Sequence, residues 1–371
     1  MAIDGPLRLL LFNLVTDADH QVLGFTTNWI NALAPHCAYI DVLTMQAGRL
    51  DVADNVRVFS VGREKGYSEP RRVLEFYRLL RRLLDERYYD ACFAHMMPLF
   101  AVMGAPLLAP KHIPITTWYT HRQRSMTLRL ATMVSHRVIS AVPSSFPLKT
   151  DKLRALGHGI DAVLYAPPSQ VHDQPPRVIQ VARLTPIKNQ DVLLRAAAPL
   201  DCEVVLVGDT AEGYSTDYRE ELKTLTRELG MADRVTFTGQ QTPQQVRDWY
   251  QRSTVAVNLS PPGLFDKAAL EAMACGLPTL VSNEAFASLT GPQHKLLHIN
   301  APDDVEGLRE HLRTLLALTP LQRQQIGQHL RMGVVAEHSL EPLARKVISV
   351  LRTGEVASEG TSEVFSEMAS K

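Results

Sequence analysis

Several features that would settle the class of this chain early are scarce or absent. Only four cysteines occur in 371 residues, Cys37, Cys92, Cys202 and Cys275. They show neither metal-site spacing nor a disulfide rhythm, so a reducing, cytoplasmic location is expected. No apolar run reaches the roughly 18 residues that a membrane span requires. The opening MAIDGPLRLLLFNL has too short an apolar run and no basic leader for a secretory signal. Charge of one sign is not in excess either, since 39 Lys+Arg balance 39 Asp+Glu. With no net positive charge, no aromatic-rich basic sheet motif and no helix-turn-helix pattern, nucleic acid is not an expected partner. No G-x-G-x-x-G follows the first strand-like run of either half, which argues against a nicotinamide-dependent oxidoreductase.

What is present fits a soluble α/β protein. Hydrophobic residues make up 45% and charged residues 21%, an ordinary globular balance. The length exceeds one typical domain and suits two, each able to bury a full core. Strand-like and helix-like segments alternate as in parallel sheets with crossover helices. In the first half the strands are expected at 7–14, 39–43, 56–61, 90–94, 113–118 and 137–141, with a helix at 25–34. Around 155–168 the text turns to Gly and Pro (ALGHGIDAVLYAPP), followed by SQVHDQPP, which marks a boundary. Beyond it, strands are expected at 178–182, 203–207, 234–238, 254–259 and 279–282. The expected organisation is therefore a first domain over 1–167 and a second over 168–352, whose last helix can pack back on the first. From Thr353 the chain is small, polar and acidic, which reads as a disordered tail.

Neutral overall, the chain is uneven in charge. Met1 to Tyr165 carries 19 Lys+Arg against 14 Asp+Glu, leaving 20 against 25 for the remainder. Much of the positive charge lies on 69–90, where Val73, Phe76, Tyr77, Leu80 and Leu84 fall at helical spacing with Arg71, Arg78 and Arg82 elsewhere. This is a basic amphipathic helix. It is expected to be an outer helix with a solvated face, the other reading being contact with an anionic membrane surface or acceptor.

Two constellations carry chemistry. The first is SPPGLFDKAALEAMACGLP (260–278), a loop opening into an alanine-rich helix. Asp266 is placed to cap it, Gly276 and Pro278 to end it, and the backbone N–H groups of Lys267, Ala268 and Ala269 to face an anion such as a phosphate. Lys267 at the positive end of the helix dipole favours an anionic ligand nearby. The plainer reading makes Asp266 a cap, Lys267 a solvated residue and Glu271 its helical partner. In the second constellation, the strand-like VIQVA runs into Arg183-Leu-Thr-Pro-Ile-Lys188 and then a helix over 189–198. Ligands collect beyond the carboxyl ends of such strands, where an Arg and a Lys on one short loop can hold a diphosphate.

The pairing of VARLTPIKNQDVLLRA with a later LEAMACGLP, with GDTAEG, RVTFTGQQ and VAVNLS between them in order, resembles the donor-binding half of family 4 glycosyltransferases. The resemblance is close over about 177–283 and consistent in layout over the first 165 residues. It implies the GT-B fold, two Rossmann-like doubly wound domains facing across a cleft. It also implies a retaining, hexosyltransferase-type activity that moves a sugar from a nucleotide diphosphate to an acceptor hydroxyl. Residue by residue, it puts Arg183 and Lys188 on the diphosphate and Glu271 on the ribose hydroxyls. The loop Gly263, Leu264, Phe265, Asp266, Lys267 and Ala268 lies against the sugar and phosphates, and Gly239 and Gln240 meet the base. In the first domain His121 fits the family's histidine near the donor sugar, with Arg122 and Arg124 beside it. Gly24 takes the place of a glycine loop where backbone approaches a ligand, and His95 is expected to project into the cleft. Gly159 and Asp161 resemble the motif leading into the linker.

One departure stands out: most members carry a first Glu where this chain has Gly263, eight residues before Glu271. Asp266 can substitute for it, or main chain alone can orient the sugar. No cofactor is expected beyond the nucleotide-sugar donor, and no metal. The acceptor is expected to be anionic or membrane-associated, with the enzyme at most peripheral at the inner membrane surface. Two alternatives stay open, a GT-B sugar-nucleotide epimerase and a non-catalytic nucleotide-sugar-binding protein.

Overall fold

Leu7–Thr16 (LRLLLFNLVT) is aliphatic on both faces, as a central strand of a parallel sheet must be when helices cover each side. The same holds for Ala91–His95, every residue of which is buried. The structure is a computed structural model that describes residues 5–20, 23–121, 123–169, 175–210, 217–262 and 264–356. It divides into two units, one formed by the chain up to Leu156 and from Leu343 on, the other by Gly157–Pro342.

In the first unit the strands are β1 (Leu7–Thr16), β2 (Cys37–Ala47), β3 (Val56–Ser60), β4 (Ala91–His95), β5 (Ile115–Trp118), β6 (Arg137–Ser140) and β7 (Leu153–Ala155). They pair in the order β3-β2-β1-β4-β5-β6-β7, all parallel. Its helices are α1 (Phe25–Leu33), α2 (Glu69–Glu86), α3 (Pro98–Leu108) and α4 (Met126–Val134). The second unit has β8 (Arg177–Val181), β9 (Glu203–Val207), β10 (Val235–Gly239), β11 (Val255–Asn258) and β12 (Thr279–Val281), in the order β10-β9-β8-β11-β12, again parallel. Its helices are α5 (Gln190–Ala197), α6 (Asp217–Glu228), α7 (Pro243–Gln251), α8 (Lys267–Ala274), α9 (Ala287–Thr290), α10 (His294–Leu297), α11 (Val305–Ala317) and α12 (Pro320–His338), while α13 (Leu340–Thr353) returns to the first unit.

Both orders reverse direction beside their first strand, between β1 and β4 and between β8 and β11. Such a switch point leaves a crevice beyond the carboxyl ends of the two strands, where ligands of doubly wound sheets sit. The loops after β8 and β11 therefore govern the second unit.

Every strand expected from the sequence is present to within a few residues. β7 went unforeseen, because three residues give too little alternation to read. The division falls at Leu156, at the start of the Gly- and Pro-containing stretch expected to carry it and ahead of the expected limit at 167. Residues just after Gly157 bond within the second unit: Ile160 N–H donates to the His338 carbonyl at 2.7 Å, and Arg331 donates to the Tyr165 carbonyl at 2.9 Å. Of the stretch expected to be a disordered tail, 353–356 is described, and Arg154 holds Glu355 there at 2.7 Å; the rest of that expectation, from 357 on, lies outside the described residues.

On α2 the buried stripe is Phe76, Leu79, Leu80, Leu83 and Leu84, whereas Val73, expected inside, is exposed. Its arginines are largely answered by its own acids, Arg78 by Glu75 at 2.5 Å and Arg82 by Glu86 at 2.6 Å. Three of its five arginines, Arg72, Arg78 and Arg82, are ion-paired with acids of the same helix. No helix among the described residues is long and apolar enough to cross a membrane, and all four cysteines are free and buried.

Helix α8 is held from behind by α12. Gly276 (φ 71°) ends α8 in a left-handed turn, with its N–H bonded to the Met273 carbonyl at 2.9 Å and that of Leu277 to Ala272 at 3.1 Å. A Cβ at Gly327 of α12 would fall 1.8 Å from the Gly276 carbonyl oxygen, and Arg331 one turn later bonds the Ala274 carbonyl. Gly327→Ala is expected to push α12 off α8 and lower stability by about 1–3 kcal/mol, read as a lower urea midpoint. An unchanged midpoint would show that the two helices do not rest on this contact.

Candidate functional site

The β8 loop is short and braced. From Val181 the chain passes Arg183 to a tight turn at Pro186–Lys188, and Asn189, at φ 54°, turns it into α5. An asparagine tolerates this left-handed conformation where most residues do not. The Asn189 amide donates to the Leu259 carbonyl just beyond β11 (3.0 Å), Gln180 to the Lys188 carbonyl (2.6 Å) and Gln190 to the Arg183 carbonyl (2.9 Å). Two side-chain amides thus fix carbonyls of the loop, and a third ties it to the chain beyond β11. Its two cations diverge: Arg183 is exposed, with no ion pair among the described residues, and Lys188 is buried.

Lys188 reaches across the switch point. Its ammonium donates to Ser260 Oγ at 3.0 Å and to the Asp266 carboxylate. Ser260 Oγ also donates to Asp266, and Asn258 Nδ2, at the end of β11, donates to the same oxygen at 3.2 Å. Asp266 stands at the helix-preceding position expected of it, but its side chain does not cap α8. Three donors on one oxygen, one of them charged, outcompete a neutral backbone N–H. The expected cap is replaced by a loop-to-loop ion pair, and no side chain from that position covers the start of α8.

Glu271 lies half-buried on the second turn of α8, with the Tyr165 hydroxyl against it. Burial pushes the Glu271 carboxyl upward, opposed by Lys267 and by Tyr165. Burial likewise lowers Lys267, which Glu271 opposes. Lys267 is therefore not a solvated surface residue, and the two charges share a poorly hydrated environment.

The loop before α8 is anchored by groups to which sequence reasoning gave no role. Phe265 is buried, its ring 4.5 Å from Phe286 and stacked on His158 at 5.6 Å. His158 Nε2–H donates to the Phe265 carbonyl at 2.8 Å, since a carbonyl can only accept, which leaves Nδ1 as a buried acceptor with no hydrogen-bond partner. Asn283 Nδ2, just past β12, donates to the Leu264 carbonyl at 3.1 Å. Gly263 lies outside the described residues, as does Arg122. His158 and Tyr165 fell in a stretch read as linker, whereas Asn258 and Ser260 sat in the quoted VAVNLS motif without a role.

The remaining expected residues are dispersed. Gly239 (φ 68°) ends β10, its carbonyl accepting from Gly208 N–H at 3.0 Å, and Gln240 beside it is exposed. Ala268 gives its carbonyl to the Tyr250 hydroxyl at 2.9 Å. In the first unit Gly24 is packed against the chain before it. A Cβ there would stand 2.8 Å from the His20 carbonyl oxygen, so the close approach is of the chain to itself. His95 ends β4 and, contrary to expectation, is enclosed by rings, with Trp29 at 4.7 Å and Trp118 at 6.1 Å. His121 is exposed beyond β5, edge-on to Tyr119 at 5.8 Å, and Arg124 is exposed nearby. A cavity of about 530 Å³ beside Thr254 and Pro278 opens at the opposite ends of β11 and β12 and takes no part in this arrangement.

Two parallel sheets of this order, each with a switch point beside its first strand, are those of the GT-B fold. Residues 165–331, somewhat under half of the chain, match the family described as Glycosyl transferases group 1. It is 36% identical over 102 residues to the D-inositol 3-phosphate glycosyltransferase of Mycolicibacterium smegmatis, which covers 28% of this chain and 24% of that protein. It is 26% identical to the MMP alpha-(1->4)-mannosyltransferase of Mycolicibacterium hassiacum over 77% of this chain and 75% of that one. The matched stretch thus spans about a quarter to a third of several curated relatives. Among solved structures, a sucrose-phosphate synthase from Thermosynechococcus elongatus superposes with a TM-score of 0.74 at 20% identity, covering 94% of this chain and 98% of that one. Anabaena HepE in complex with UDP and glucose superposes with a TM-score of 0.70 at 18% identity, covering 94% and 100%. These two likenesses are of fold.

Burial, with the Lys267 charge adding to it, pushes the His158 imidazole down to about 3, against an ordinary 6.5. Below pH 6.5 the unfolded chain takes up a proton that the folded chain refuses, so stability falls as pH falls and stops falling near pH 3. Within that window this group contributes a slope of up to about 1.4 kcal/mol per pH unit. His158→Asn keeps a donor for the Phe265 carbonyl but does not titrate. Urea unfolding between pH 6.5 and 4.5 is expected to give a shallower pH dependence for this variant, and equal slopes would refute the burial of a neutral histidine.

Proposed function

We propose that the second unit binds a nucleotide-diphosphate sugar beyond β8 and β11 and that the protein transfers the sugar to an acceptor hydroxyl with retention of configuration. The observation carrying this is the Lys188–Asp266 pair, which ties the loop after β8 to the start of α8 at the switch point of the sheet. Arg183 and Lys188 would take the diphosphate together with the first backbone N–H groups of α8. Glu271 would take the ribose hydroxyls; two such donors suit a carboxylate whose burial would otherwise favour its protonated form. The base would lie against Gly239 and Gln240, and Leu264 to Ala268 against the sugar. The first unit would hold the acceptor and contribute His121.

In this reading Lys188 is not a free cation waiting for phosphate. Asp266 and Ser260 aim its ammonium and balance its charge, so Lys188 would give the diphosphate a positioned N–H donor, while the uncompensated positive charge comes from Arg183 and the dipole of α8. As the sugar leaves, negative charge grows on the diphosphate, and donors already in place stabilise it without reorganising. The reading assigns no cofactor to the step beyond the donor itself, and it places the protein in a reducing compartment consistent with four free thiols.

A thermal-shift panel of nucleotide sugars tests donor binding, because a ligand of the folded state raises its stability by RT ln(1 + [L]/Kd). With the donor found, Arg183→Ala and Lys188→Ala are each expected to cut turnover at least tenfold, and by ~10²–10³ if each is a full transition-state donor, with thermal midpoints confirming that both fold. Near-normal turnover in both would remove the diphosphate grip. Donor binding without product on any acceptor would identify a binding protein, and an isomerised nucleotide sugar an epimerase.

A further inference from the structure

Away from these loops, where the chain leaves β12, two histidines and a carboxylate converge. His294 begins the single turn α10 and His298 follows it, so the two lie one helical turn apart on one side. Their rings face each other at 4.5 Å. Glu284 reaches in from the turn after β12, one oxygen 3.5 Å from His294 Nε2 and 3.2 Å from His298 Nε2. Ligating atoms from the three residues all lie within 4.8 Å of one another. Around a four-coordinate zinc, with bonds of about 2.0–2.1 Å, neighbouring ligand atoms stand about 3.3–3.4 Å apart. The observed carboxylate–imidazole separations match that figure.

Ring tautomers point the same way. Thr290 is fully buried, and its hydroxyl has the Phe286 and Ala287 carbonyls as acceptors at 3.3 and 3.2 Å. With its one proton directed to either carbonyl, it can accept from His294 Nδ1–H, 2.8 Å away, the tautomer that a cation at Nε2 requires. That assignment leaves Nε2 of His294 as a bare lone pair facing a carboxylate, an arrangement that calls for a cation between them. A hydrogen bond on the far nitrogen is also how proteins orient a metal-ligating imidazole. His298 Nε2 is buried and has no hydrogen-bond partner. The backbone holds this geometry in place: Ile299 N–H bonds the Val281 carbonyl at 2.9 Å, and His311 Nδ1–H bonds the Leu296 carbonyl at 2.8 Å.

We propose that Glu284, His294 and His298 form a site for a divalent cation of the zinc class, with Thr290 as the positioning residue for His294 and a fourth position open to water. Two neutral imidazoles and a carboxylate favour zinc, cobalt, nickel or copper over magnesium or calcium, whose ligands are all oxygen. The segment tied down by the ion begins at Asn283, which bonds the Leu264 carbonyl, and contains Phe286, which packs on Phe265. Its occupancy would therefore stiffen the support of the loop before α8. The site does not depend on the transferase reading and is tested without it.

The experiment titrates Co²⁺ into the full chain, produced without a histidine tag and stripped with chelator, and follows the visible absorption of four-coordinate cobalt, with Zn²⁺ as competitor. The wild-type chain is expected to bind one equivalent that Zn²⁺ displaces, and Zn²⁺ to raise its thermal midpoint. His294→Ala and His298→Ala are each expected to weaken binding at least tenfold, and Thr290→Val by about tenfold or more through loss of ring orientation. A wild-type chain with no one-equivalent, four-coordinate component overturns the proposal without recourse to any variant. Equal binding by the His294→Ala/His298→Ala chain overturns it too, by placing the ion on other histidines.

Discussion

One charged contact organises the second unit: Lys188, carried by the loop after β8, meeting Asp266, carried by the loop after β11. Removing one partner of such an enclosed pair leaves the other charge without its counter-ion, which costs more than the pair itself contributes. Ser260 and Asn258 supply further donors, so the carboxylate oxygen is fully engaged. The pair fixes the distance between the two loops that flank the switch point. It also explains why the start of α8 lacks a side-chain cap, since the residue in position to provide one is committed elsewhere.

That commitment has a chemical consequence. A capped helix start has one amide donor fewer for a ligand, and an uncapped one keeps its dipole open at a point where four of the next eight residues are alanine. Small side chains let backbone approach a guest, while Gly276 and Gly327 let α8 settle against α12 on the far side. The helix is thus pressed forward from behind and left bare in front. Within it, Lys267 and Glu271 share one poorly hydrated environment, each making the other's charge less costly.

Much of this was legible in the sequence, for identifiable reasons. Long aliphatic strands such as LRLLLFNLVT announce a parallel sheet because burial on both faces leaves no room for alternation. The order of motifs from VARLTPIK to LEAMACGLP carried the family, and the cations and carboxylates near the switch point were named from it. What stayed hidden were choices between partners that only three dimensions decide. Asp266 before a helix reads as a cap, and nothing in its neighbours reveals that Lys188 outbids the backbone. His95 at a strand end reads as projecting, and Trp29, distant in sequence, encloses it. Gly24 reads as room for a ligand, and the space belongs to the chain's own carbonyls. His294 and His298 did carry a local signal, spaced one turn apart, but Glu284 joins them only because the chain doubles back beside β12.

The two clusters of the second unit also differ in what they can tolerate. At Lys188 and Asp266 opposite charges already balance, so the pair is complete without a guest and serves to aim groups at one. At Glu284, His294 and His298 the balance is incomplete, because two imidazole nitrogens and a carboxylate oxygen face a common point with no hydrogen bond between them among the described residues. The first arrangement is stable as it stands; the second is satisfied only by a proton or a cation. Both clusters bear on the same short loop, the first through Asp266 at its end and the second through Asn283 and Phe286 beneath it. The loop's position is therefore the sum of a permanent ion pair and a conditional one, and only the conditional contribution can change with what the surrounding solution supplies.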